Sequence, residues 1–140
     1  MSTDRDLVVG TDIQVAWGEQ DAFGHLNNVV YLRYFETVRM HYLQRIGVLR
    51  SHADRHIGVI LASTTCDFKK PVNWPCQLHI RTGCTRVGIT SFTLHYRITD
   101  AVNDVVAEGS SVQVMYDYTN ARKVEVPPDI RQAIAHLQGG

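Results

Sequence analysis

Asp21 is the residue best placed in this chain to do chemistry. It stands in a loop bracketed by Gly18 and Gly24 that leads, through His25, Asn27 and Asn28, into a long apolar segment of helical spacing. The first turn of a helix leaves backbone N–H groups without partners and carries a partial positive charge, and the two together polarise a carbonyl or hold an oxyanion. A carboxylate beside such donors points to acyl transfer or hydrolysis, with Asp21 as nucleophile or general base. The ordinary alternative is an aspartate that bonds its own turn. His25 is expected either to hold the loop by a hydrogen bond or to position Asp21 or a substrate. Neither serine nor cysteine lies between Trp17 and Glu36 to serve as nucleophile in a triad. Gly24 either meets a positive-φ requirement or lets a ligand approach closely.

Other titratable groups carry less. Glu36 lies eight residues past Asn28, two turns down the same helix, and an ion pair with Arg33 or Arg39 is its expected role. Of seven histidines only His52 and His56 share a close spacing, with no cysteine pair nearby, so no metal site is expected.

The elements that must position these groups follow from periodicity. Ile13 and Val15 fall on one face of a strand expected over Thr11 to Trp17. Tyr31, Phe35, Val38, Tyr42 and Ile46 trace one face of a helix from about Asn28 to Ile46, widened by Leu32 and Leu43, with Arg33, Glu36, Arg39 and Arg45 off it. Asn27 or Asn28 caps its start and Gly47 ends it. A connection over Ser51 to His56 follows, and then strand patterns dominate. Gly58 to Phe68 is apolar and Thr-rich, Leu78, Ile80 and Thr82 alternate with His79 and Arg81, and Phe92 to Ile98 alternate cleanly. Val105 to Tyr118 reads as a last long strand with a bulge at Gly109, and residues 129–137 as a short terminal helix. Residues 1–11 and the final Gly-Gly read as loose ends. One long helix and an antiparallel sheet packed on it make an α+β fold.

The bulk numbers agree with one domain. At 140 residues the chain can bury a core, and its 44% hydrophobic and 20% charged content is globular. Fourteen Lys and Arg balance fourteen Asp and Glu, leaving no basic field to recruit nucleic acid. The polar amino terminus and the lack of a long apolar run predict neither secretory signal nor membrane insertion. Three cysteines without a Cys-x-x-Cys pair fit reduced thiols in a cytoplasmic protein.

The segment Gly24-His25-Leu26-Asn27-Asn28, the Tyr31 to Glu36 start of the helix, and the strand opening at Gly88 to Phe92 resemble the hot-dog-fold acyl thioesterases of the 4-hydroxybenzoyl-CoA thioesterase type. The resemblance spans about Asp12 to Leu137. It implies a curled antiparallel β-sheet wrapped around one central helix, a single domain over residues 1–140, and a homodimer or homotetramer with joined sheets. It implies hydrolysis of an acyl-CoA or acyl carrier protein thioester to acid and thiol, without a cofactor. Asp21 matches the catalytic carboxylate, Asn28 the backbone oxyanion donor, and His25 lies between them. Gly24, Asn27, Tyr31, Val59, Leu61 and Trp74 become expected substrate contacts, with Phe23 and Ile60 beside them. Lys69, Lys70, Arg86, Thr90 and Ser91 stand where such enzymes grip the CoA carrier. The Asn-Asn variant leans the acyl group towards an aliphatic one. The alternative is a non-catalytic acyl-CoA-binding hot-dog protein, and a hot-dog dehydratase would need a different motif.

Overall fold

Helix α1 (Asn28–Arg45) is built from residues with mediocre helix propensity, so burial must hold it. In the computed structural model, which describes residues 4–139, Tyr31, Phe35, Val38, Tyr42 and Ile46 are all 2% exposed or less. The Asn27 side chain accepts a hydrogen bond from the Val29 N–H (3.1 Å), so Asn27 is the cap. Gly47, at φ 86°, turns the chain out of the helix in the left-handed region.

Among the described residues six strands form one antiparallel sheet that curls around α1, as the hot-dog resemblance implies. They are β1 (Val9–Gln14), β2 (Ile57–Phe68), β3 (Gln77–Val87), β4 (Ser91–Thr99), β5 (Val105–Asp117) and the two-residue β6 (Arg122–Lys123). The order is β1-β3-β4-β5-β2, with β6 paired to β5. Phe92, Leu94, Tyr96 and Ile98 of β4 all point inward and are buried. Helix α3 (Pro128–Leu137) closes the structure by burying Ile130 and Ile134.

Several expectations change. The buried arc of α1 also takes in Tyr34 and Arg39, whereas Leu32 is 39% exposed. A sheet that curls covers more than one stripe of a helix, and it leaves one flank of α1 facing an open furrow beside β2. The supposed connection at Ser51 to His56 is mostly helix α2 (Val48–Arg55), in which only Val48 and Ser51 are buried. Only three of its eight residues are apolar, too few to mark a helix in the sequence. The first strand starts at Val9 and ends before Trp17, which turns away and is 68% exposed. The amino-terminal segment is not loose from residue 4 on. Leu7 and Val9 are buried, and a β-carbon at Gly83 would lie 1.5 Å from the Asp6 carbonyl oxygen, so the chain there crosses directly over β3. Residues 1–3 and Gly140 lie outside the described residues.

Gly109 is not a bulge. It pairs regularly with Cys66 and Tyr96, while the register shifts fall at Leu61/Ser63, Cys84/Arg86 and Ile98/Thr99. Its function is close approach. A β-carbon there would lie 2.2 Å from the Thr65 backbone oxygen and 2.6 Å from the Phe35 ring. Because backbone cannot step aside, Gly109→Ala is expected to destabilise the fold by about 1–3 kcal/mol through overpacking. A urea melt reads this directly, and an unchanged midpoint would refute the packing account.

Candidate active site

The loop from Trp17 to Asn27 is pinned to α1 by Glu19. Its Oε1 accepts from the Ala16 N–H (2.7 Å) and from the Tyr34 hydroxyl (2.7 Å), its carbonyl accepts from the Asn27 N–H (2.9 Å), and Arg33 lies 3.8 Å from Oε2. Sequence reasoning missed Glu19. Its partners lie up to fifteen residues away on the helix, with no short-range signal to pair them.

Within the loop Asp21 does what a turn aspartate ordinarily does. Its Oδ1 accepts from the N–H groups of Phe23 (2.9 Å) and His25 (3.2 Å), and its own N–H donates to the His25 carbonyl (2.8 Å). Oδ2 takes no hydrogen bond among the described residues. Gly24 sits at φ 77° with open space around it, so the backbone conformation, rather than crowding, explains the glycine. The His25 ring is exposed and bonds nothing among the described residues, so backbone groups hold this loop.

Half-buried Asp21 lines a cleft of about 260 Å³ with His25, Asn28, Tyr31, Phe68 and Lys69. Asn28 opens α1, and its backbone N–H has no acceptor among the described residues, because Asn27 spends its side chain one residue further on. Tyr31 is buried edge-on against Phe68, with ring centroids 5.0 Å apart. Burial first, then the neighbouring Cys66 and Cys76, push its phenol up to about 12, so near neutrality it is a hydroxyl donor. Phe68 was not foreseen as a lining residue, because it is the last residue of a strand read only for its apolar pattern.

The remaining expected contacts divide. Lys70 also borders the cleft, but its ammonium is held by Asp100 (2.7 Å) and Asp104 (2.9 Å), which raise its pKa and leave little charge for a ligand. Lys69 has no such partner among the described residues. Asn27 stands beside the cleft as the cap, and Trp74, 44% exposed, lies outside the lining, as does Phe23 at 85%. Leu61 lines a neighbouring furrow between α1 and β2 rather than this cleft, with Val59 and Ile60 preceding it on β2. Arg86, Thr90 and Ser91 are at the β3–β4 turn, the end of β3 away from Gln77 and the loop. Glu36 faces that same furrow, 3.9 Å from Arg39, as an ion pair with the expected spacing. Among the described residues no three His, Cys, Asp or Glu side chains are grouped to hold a metal, and no helix is long and apolar enough to cross a membrane.

A sheet curled round one buried helix, open in a cleft at that helix's amino end, is the architecture of the hot-dog thioesterases. Residues 15–134 match the Thioesterase-like superfamily, and the chain belongs to it. The class is that of thioester-hydrolysing enzymes. The Bacillus subtilis protein YsmA is 27% identical over 126 residues, covering 90% of this chain and 84% of that one. A Thermus thermophilus thioesterase, solved with coenzyme A and zinc, superposes with a TM-score of 0.85 at 24% identity over 96% of this chain and 97% of its own. A gentisyl-coenzyme A thioesterase gives a TM-score of 0.78 at 25% identity over 89% and 98%.

Proposed function

We propose that this protein hydrolyses acyl thioesters of CoA, or of acyl carrier protein, with Asp21 as the reacting carboxylate. The observation that carries the reading is one juxtaposition. The free Oδ2 oxygen of Asp21 and the free N–H of Asn28 belong to residues lining one cleft, so an acid–base or nucleophilic group and an oxyanion donor can address the same carbonyl. As general base, Asp21 takes the proton of a water whose oxygen attacks the thioester carbon. As nucleophile, it forms a mixed anhydride that water then opens. On either route the Asn28 N–H bonds the oxyanion, the C–S bond breaks, and the thiolate leaves to be protonated. A tyrosine kept protonated at Tyr31 supplies a further donor, and Lys69 supplies a cation for carrier phosphates. The Gly24 to Asn28 segment supports the 4-hydroxybenzoyl-CoA thioesterase type within the superfamily. The coenzyme A of the Thermus relative and the gentisyl-CoA substrate of the other favour CoA as the carrier.

The same reading takes residues 1–140 as one hot-dog domain that works as a dimer or tetramer. Strand β2 is a twelve-residue edge with Ile60 40% exposed, and pairing that edge with a second copy would cover it.

The test is release of free CoA from a panel of acyl-CoAs, from short to long aliphatic, with benzoyl and phenylacetyl members. Turnover of at least one member is expected. Tight binding of acyl-CoA without turnover would instead make the protein an acyl-CoA binder.

A further inference from the structure

Arg39 is a buried cation that no carboxylate in the core neutralises. Its side chain is 10% exposed, and Nη1 donates to the Tyr96 hydroxyl at 3.2 Å. From there the donors run away from it. The Tyr96 hydroxyl pairs with Ser111 Oγ (2.6 Å), Ser111 donates to Gln113 Oε1, and Gln113 Nε2 donates to the Phe92 carbonyl (3.1 Å). This chain of neutral groups accepts one N–H from the guanidinium and supplies no negative charge. The nearest carboxylate is Glu36, itself 65% exposed and 3.9 Å from Nη2, outside hydrogen-bond reach. A guanidinium has five N–H donors, and a desolvated charge is costly unless it is paired. No buried side-chain nitrogen or oxygen among the described residues lacks a partner, so the donors of Arg39 left without a bond keep access to space.

That space is the α1–β2 furrow, about 340 Å³ in volume and lined by Val29, Leu32, Leu61 and Thr64 along its length, with Glu36 and Arg39 at the far end. Its lining follows that of the Asp21 cleft along both elements. As α1 advances from Tyr31 through Leu32 to Arg39, the β2 residues facing it run back from Phe68 through Thr64 to Leu61. Arg33, which also borders the furrow, adds a second cation shared with Glu19. The furrow therefore joins apolar side chains to two guanidiniums and one carboxylate, with the Arg39 guanidinium the most buried of the three charges.

We propose that the furrow takes the acyl chain of the substrate, and that Arg39 binds a carboxylate at the chain's far end. The preferred substrate is then a monothioester of a medium-chain dicarboxylic acid. This rests on the thioesterase reading above and narrows it. The eleven residues from Asn28 to Arg39 rise about 16 Å along the helix. The Arg39 side chain leans back towards the helix start, which shortens the gap to roughly 10 Å. An extended chain advances about 1.2 Å per bond, so about eight to thirteen bonds separate thioester and carboxylate.

Calorimetric binding of non-hydrolysable S-alkyl-CoA thioethers tests this without turnover. Ten-carbon chains ending in methyl, carboxamide or carboxylate are compared. Wild type is expected to bind the carboxylate at least tenfold tighter than either neutral chain. Arg39→Gln, which keeps a donor for Tyr96, is expected to abolish that preference, and Arg39→Lys to restore part of it. The wild-type series alone decides if Arg39→Gln does not fold. Equal binding of the three chains, a methyl preference, or a carboxamide as good as the carboxylate would overturn the proposal, as would a preference that survives in Arg39→Gln. Hydrolysis of short acyl-CoAs with no carboxylate preference defeats this inference and leaves the thioesterase reading standing. A carboxylate preference in binding without hydrolysis of any acyl-CoA defeats the thioesterase reading and leaves the furrow site standing, and failure of every analogue to bind defeats this inference.

Discussion

Asp21→Asn is expected to lower kcat/KM for acyl-CoA hydrolysis by roughly a hundredfold or more, with Tm changed by no more than about 2 °C. The structure makes asparagine the right probe. Asp21 Oδ1 ties the loop through the N–H groups of Phe23 and His25, and an asparagine carbonyl can accept both. Only Oδ2, with no partner among the described residues, is replaced by an amide that can neither attack nor take a proton. Alanine would remove the loop's anchor along with the chemistry, and a loss of activity there would mean little. Changing the Asn28 side chain is equally uninformative, because its backbone N–H survives. Activity that persists in Asp21→Asn, with the protein folded, would transfer the chemistry to Glu36, the one carboxylate on α1. Glu36→Gln would then have to abolish it.

Phe35→Ala is expected to cost about 3–5 kcal/mol and to lower Tm by roughly 10–20 °C. Phe35 is fully buried and stacks on Tyr96 with ring centroids 4.5 Å apart, and its ring presses on the bare backbone at Gly109. Tyr96 is held from filling the space, because its hydroxyl is committed to Arg39 and Ser111. The loss should appear in urea and thermal melts alike. A cost below about 1 kcal/mol would mean that α1 and the sheet close over the cavity, and that the contact at Gly109 is not what sets their spacing.

The chain's own periodicity was enough for α1, β4 and β5, since their inward residues repeat at 3.6 or 2 and long-range contacts only reinforce that pattern. Asp21 and the helix start behind it were legible for the same reason, as a turn and a cap are local chemistry. What a tyrosine or arginine off the apolar stripe would do was not legible. Tyr34 reaches back to Glu19 and Arg39 reaches across to Tyr96, fifteen and fifty-seven residues away, because a curled sheet surrounds the helix on more than one side. Helix α2 escaped notice because its eight residues, mostly polar, bury only two side chains. Lys69 and Lys70 looked equivalent as a pair, and the fold separated them by bringing Asp100 and Asp104 to one of them. Gly109 looked like a flaw in a strand and is where the Phe35 ring meets bare strand backbone. Local sequence therefore determined the long helix, the main strands and where a carboxylate meets a helix start. The tertiary structure decided which charges are spent and which remain open to a ligand, because that depends on groups distant in the chain arriving at one place.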